Sequence, residues 1–484
     1  MKHFPAPWSL AVFRSFFPAP KLFFSSAALW LLTSVLIWFA IGEPIRSVVS
    51  IDRFTHPAAA TEIIQDQPTT AEEAAVADPA AGAALTNPNA PAETESEAPP
   101  ATEPESAAAA PNPTAAAAAG AELNFLTAER VWLYQYVLMV ALVFCVFWYF
   151  YKRNEWYWWS VVSSAVILLI IYFQVQVAAF VNEWSGSFFN TIQLALTQPG
   201  SVTAGQLYGL TWTIVLVTIP SILVSVALAF YTSHYVFRWR KAMNFYYMEY
   251  WPQIRTVEGA AQRVQEDTMR FAAIMEDLGT AFFESLITLV VFLPLLWTLS
   301  SNISELPIFG ATPGGLVWVA LVGAAAGTAL LAVVGIRLPG LNFANQRVEA
   351  AYRKELVLGE DYEERAQPPT VRELFAGVQQ NYFRLYFHYT YFNLARYGYT
   401  NMVGYVPLLV MAPSILAGTL TMGLYQQIQI AFGQVFGSFQ FFARAWTVIV
   451  ELQSVVMRLR KFESYIPKDQ EPIKASVSDA APAT

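Results

Sequence analysis

The chain has 484 residues, of which 55% are hydrophobic and 15% aromatic, while charged residues supply only 13%, about half the ~25% share usual in soluble globular proteins. Its formal charge of −8 comes from one segment: residues 57–122 hold 11 Asp and Glu and no Lys or Arg, which leaves +3 (−8 minus −11) for the remainder. That balance excludes a nucleic-acid partner as its reading, and Cys145, the one cysteine, excludes an intrachain disulfide and a thiolate metal cluster.

A bilayer core of roughly 30 Å needs about 20 apolar residues per helix. The sequence therefore predicts an all-α polytopic membrane protein of about eight transmembrane helices. The windows are Leu22 to Ile41, Val131 to Tyr151, Trp156 to Val181, Leu207 to Thr232, Ala272 to Leu299, Leu316 to Ile336, Tyr397 to Gly418 and Ile428 to Met457. Lys2, Arg14 and Lys21 precede the first window, whose apolar run exceeds the ~7 to 15 residues of a secretory signal core, so it reads as an uncleaved anchor.

With both termini inside, every Lys and Arg except Arg46, Arg53, Arg130 and Arg444 falls on the cytoplasmic side, as expected for short cytoplasmic loops. Shifting the count by one helix destroys this pattern. The chain then divides into 1–53, an N-terminal cytoplasmic segment and first span; 54–123, an acidic Ala/Pro-rich outer loop; 124–465, the transmembrane core with cytoplasmic extensions; and 466–484, a cytoplasmic tail. Segment 54–123 has too few aromatic residues to offset its ordering entropy and is expected to be disordered, as is the tail. The long charged stretches Ser233 to Phe271 and Arg337 to Arg396 keep helical spacing and should extend the membrane helices beyond the bilayer.

Within VEGAAQRVQEDTMRF (Val257 to Phe271), Arg263 and Asp267 are four apart, as are Glu266 and Arg270, so both pairs meet along a helix face. A solvated, salt-bridged surface accounts for these pairs as well as a gate does. In a continuous helix Glu258 and Glu276 share another face with Gln262, Gln265 and Met269, about five turns apart. Asp277 and Glu284 open the fifth span, where a carboxylate is costly unless it faces a partner or water. Farther along, Glu349, Arg353 and Glu360 lie within ~40° of one another on an ideal helix, with Gly359 a weak point. In the last span Gln440, Arg444, Glu451 and Arg458 form a polar stripe on an apolar helix. Arg444 and Glu451 are ~10 Å apart along the axis, so each needs a partner on another helix or water in a cavity, and a solute path is favoured over a lipid-facing stripe. Aromatics near span ends, such as Trp156, Trp158 and Trp159, read as an interfacial belt. No GxxxxGK[ST], HExxH or GxSxG pattern is present, so neither an enzyme nor a cofactor is expected.

SHYVFRWR (Ser233 to Arg240), PPTVRELF (Pro368 to Phe375) and NYFRLYFHY (Asn381 to Tyr389) resemble the SbmA/BacA peptide-antibiotic transporter family over roughly residues 12–50 and 125–465. The resemblance implies a domain-swapped homodimer in the bacterial inner membrane, similar to the transmembrane domain of ABC exporters without a nucleotide-binding domain. It also implies proton-driven import of proline-rich antimicrobial peptides, microcins and bleomycin-like compounds by alternating access. By motif position its proton-coupling glutamates correspond to Glu276, Glu349 and Glu360, with Arg263 and Glu266 on the adjoining charged helix. Asp267, Arg270 and Arg353 extend that ion-pair network, whereas Glu284, Gln440, Arg444 and Glu451 are cavity-lining candidates read from the residues alone. Two alternatives stay open: the membrane subunit of a transporter with a separate ATPase, and a membrane-organising protein with no transport cycle.

Overall fold

The computed structural model describes residues 11–49, 125–257, 259–303, 310 and 312–466. Segments 54–123 and 467–484, for which disorder is expected, lie outside the described residues. Every regular element described is a helix: α1 Pro20–Val49, α2 Ala128–Tyr151, α3 Ser163–Thr197, α4 Ala204–Glu249, α5 Thr268–Ser300, α6 Gly315–Gly335, α7 Leu338–Asp361, α8 Pro368–Gly404, α9 Val406–Leu416, α10 Met422–Phe439 and α11 Phe441–Glu463. One-turn helices precede α1 and follow α4, and π-helical turns, Trp158–Val162 and Arg263–Asp267, open α3 and α5.

Seven of these helices, among the described residues, are long and apolar enough to cross a membrane: those of the first six windows and the α8–α9 stretch Pro368–Leu416. The span expected over Ile428 to Met457 is instead two helices that meet at Gln440. Averaging over that window hides Gln429, Gln434 and Gln440 among the apolar residues. α10 takes its place inside the bundle, packed on α3, α5 and α6, with Ile428, Ala431, Phe432 and Val435 buried.

Two apolar clusters hold the bundle. One joins α3, α5, α6 and α10 through Val175, Phe292, Leu296, Leu316, Ile428 and Phe432. The other lies at the end rich in basic residues, where Val12, Phe16 and Phe17 pack with Trp239, Phe271, Leu459 and Phe462. Trp239 donates its indole N–H to the Val12 carbonyl at 2.7 Å, and Phe16 stacks on it with centroids 5.7 Å apart. The chain before α1 is thus built into the ends of α4, α5 and α11.

The start of α10 is capped by another helix. Its first N–H groups have no partner within the helix; Met422 donates to Gln193 Oε1 at 2.7 Å and Gly423 to Asn190 Oδ1 at 2.9 Å, both on α3. Asn182 completes the zipper by donating to the Gln427 carbonyl at 2.7 Å. The approach is close enough that a Cβ on Gly423 would lie 2.0 Å from the Gly186 carbonyl oxygen. Gly423→Ala should therefore force α3 and α10 apart at a cost of about 1–3 kcal/mol, lowering the thermal midpoint in detergent by about 1–3 °C. An unchanged midpoint would refute this packing.

Helices α4 and α7 carry the expected extensions. α4 runs unbroken to Glu249, about 25 Å past Thr232, and α7 packs along the first half of α8 as a hairpin. The hairpin turn is pinned by Glu355, which accepts from the Ala366 N–H at 3.1 Å and lies 3.7 Å from Arg365. Ala366 there takes a left-handed φ of 51°, and its side chain lies against Gly359, where a Cβ would come within 2.3 Å of it.

Candidate functional site

The charged residues converge where α5 begins and α11 ends. α5 opens through the π turn Arg263–Asp267, whose wider winding prevents Glu276 from sharing one regular helical face with the residues before it. Glu258, the expected partner on that face, lies outside the described residues. Asp267 ends the π turn and is buried, 2% exposed, while Val264 and Phe271 of the same stretch and Leu459 of α11 belong to the apolar cluster at this end.

A carboxylate in that setting needs charged hydrogen-bond donors. Two arginines supply them: Arg263 Nη1 donates at 2.8 Å, four residues earlier, and Arg458 of α11 donates from Nη2 at 2.8 Å and Nε at 3.1 Å. The forked Arg458 contact is the strong, geometrically specific kind, and Arg458 Nη1 also reaches Ser454 at 3.0 Å. Its hydrogen bonds to Asp267 outweigh desolvation and raise the Arg458 pKa above its ordinary value, so this guanidinium is always charged.

A looser layer surrounds this lock. Arg270 lies 3.4 Å from both Glu266 and Glu451, all three substantially exposed, and Gln262 donates to Glu266 at 3.0 Å. Exposed pairs of this kind contribute about 0–1 kcal/mol each, so they open readily where the Asp267 lock does not. Glu276, nearly two turns past Arg270 along α5, accepts a hydrogen bond from Ser233 of α4. The bundle end therefore ties α4 to α5 through one carboxylate and α5 to α11 through two.

The expected network is thus assembled in part. Arg263, Glu266, Asp267, Arg270 and Glu451 come together, and Arg458, read in the sequence as one member of a stripe, is the main partner of Asp267. Ser233 was not legible, because nothing in the sequence marks a contact between residues 43 positions apart. Glu349, Arg353 and Glu360 stand on α7, within the α7–α8 hairpin, and none has an ion pair or hydrogen bond among the described residues. Of the cavity candidates, Gln440 forms the α10–α11 junction, and Arg444 donates to the Gly437 carbonyl at 2.5 Å, satisfying the last turn of α10. Glu284 is exposed on α5 and makes no hydrogen bond or ion pair among the described residues.

A bundle of seven helices long and apolar enough to cross a membrane, among the described residues, with an ionic lock at one end, defines the class as a polytopic membrane protein. A model of the SbmA/BacA-like family matches residues 153–467, and the chain belongs to that family. It is also 24% identical over 311 residues to the inner membrane ABC transporter ATP-binding protein YddA of Escherichia coli, covering 60% of this chain and 54% of that one. An uncharacterized ABC transporter ATP-binding protein of Synechocystis is 25% identical, covering 48% of this chain and 34% of its own length. The chloroplastic ABC transporter D family member 2 of Arabidopsis thaliana is 24% identical, with 47% and 33% covered. The chain spans about half or less of the length of these relatives. Family and relatives together support a membrane transporter.

Proposed function

We propose that this protein imports peptides, including peptide antibiotics, across the bacterial inner membrane by alternating access driven by protons. The ionic layer where α4, α5 and α11 meet is the observation that carries this reading. It holds that end of the bundle closed by contacts of graded strength, and its outermost members are carboxylates accessible to protons. In this reading the basic end faces the cytoplasm, the Asp267 lock keeps α5 and α11 a single rigid unit, and protonation of Glu276, Glu349 and Glu360 releases the gate. The working unit is a homodimer, since the α7–α8 hairpin packs chiefly on itself and leaves Phe375, Phe383 and Phe387 exposed. A second copy would bring its hairpin, with Glu349 and Glu360, to this chain's cluster.

Peptide uptake by liposomes containing only the purified protein tests this directly. An imposed inward proton gradient is expected to drive accumulation that a protonophore abolishes. A second reading has its own support in the relatives, two of which are ABC transporter ATP-binding proteins: a membrane half that works with a separate ATPase. Absence of uptake by correctly folded dimers, together with orthovanadate-sensitive transport in cells, would favour that reading over the first.

A further inference from the structure

The segment ahead of α1 does more than lead into the membrane. From the one-turn helix Ala11–Arg14 it runs across the basic end of the bundle, with Val12, Phe16 and Phe17 at most 4% exposed. Side chains of other elements hold its backbone: Trp239 of α4 donates to the Val12 carbonyl at 2.7 Å, and Asn154, between α2 and α3, donates to the Phe16 carbonyl at 2.8 Å. Aromatic rings complete the seat. Phe16 meets Tyr235 of α4 edge-on at 5.4 Å between centroids, and Phe13 meets Phe271 of α5 edge-on at 6.1 Å. Phe271 stands about one turn past Asp267, so this strap and the ionic lock bear on the same stretch of α5.

The two devices join different helices. The Asp267 lock ties α5 to α11, whereas the strap spans the seam between α4 and α5 and reaches the α2–α3 link. The chain leaves its seat through Pro18, Ala19 and Pro20, where Ala19 takes a left-handed φ of 43°. That conformation is strained in a residue other than glycine, and a following proline favours extended backbone instead. Seating therefore holds Ala19 in a conformation that relaxes on release.

We propose that residues 12–17 are a latch: seated, they hold α4 against α5 at the basic end, and that end opens only after they leave. Its part in transport rests on the alternating-access reading above, and amide exchange tests the latch apart from transport. Arg14 is exposed, and its charge reaches the hydroxyl of half-buried Tyr246 on α4. Arg14→Cys with Tyr246→Cys, in a Cys145→Ala chain, gives a pair that a short reducible thiol cross-linker can tether. Amide exchange at Trp239–Met243 and Phe271–Met275 should slow by at least about tenfold on tethering and recover with reductant, while exchange around Ile428 and Phe432 of α10 stays as it was. Gradient-driven uptake should stop and return in step. Unchanged exchange, slowing that extends equally to α10, or undiminished uptake by the tethered protein would each overturn the latch, since a permanent clamp gives one of these results. Trp239→Phe decides the matter independently of the cysteine pair: it removes the donor to Val12 but keeps a ring against Phe16, and should speed exchange of the same amides by roughly two- to tenfold. No change there would also overturn it. Exchange that responds to the tether in a protein that drives no uptake even untethered would leave the latch standing and remove proton-driven import instead.

Discussion

Asp267→Ala is expected to lower the thermal midpoint of the detergent-purified protein by about 2–3 °C, since an unfolding entropy of about 2 cal/mol/K per residue gives roughly 1 °C per kcal/mol for a chain of 484 residues. Removing one partner of a buried ion pair costs about 3–5 kcal/mol because the other charge is left uncompensated. Here two guanidinium groups lose their anion, but their side chains are 26% and 35% exposed, so water recovers part of the loss. A net cost of about 2–3 kcal/mol follows. Asp267→Asn keeps the shape and one carbonyl acceptor and should fall between the parent and the alanine variant. Replacing both members, Asp267→Leu with Arg458→Met, should recover stability relative to Asp267→Ala, since an apolar pair fills the same volume without an orphaned charge. A shift of under 1 °C for Asp267→Ala would mean that α5 and α11 are held by the apolar cluster alone.

The reach of sequence reasoning can be traced through individual residues. Seven spans were legible because their apolar runs are long and the basic residues lie on one side of them. The window from Ile428 was misleading, since an average over it conceals Gln440, at which the helix breaks. Arg263 and Asp267 were paired correctly from four-residue spacing, yet spacing cannot reveal a π turn, and that turn ends on the buried Asp267. Arg458 was visible as one of a polar stripe; its role depends on a helix 191 positions earlier. Val12 and Phe16 looked like ordinary residues ahead of an anchor, and only packing shows them locked onto Trp239. Helix–helix contacts depend on tertiary geometry that no local period encodes.

Glu276→Gln combined with Glu349→Gln should reach the membrane at normal levels and lose gradient-driven uptake, leaving only what remains with a protonophore. Glutamine retains the volume of glutamate and can still accept from Ser233 at position 276, so folding should be spared; what disappears is the proton. The size of the effect follows from the driving force. One charge entering down roughly 150 mV releases about 3.5 kcal/mol, enough for about 300-fold accumulation of a neutral solute, and an uncoupled protein can reach only equal concentrations on the two sides. Both positions are changed together because they stand on different elements, Glu276 on α5 beside α4 and Glu349 on the α7–α8 hairpin, so that the proposed path is interrupted on each. Uptake that stays gradient-dependent and undiminished in the double variant would remove these glutamates from the coupling path. It would direct attention to Glu266 and Glu451, the two carboxylates that share Arg270.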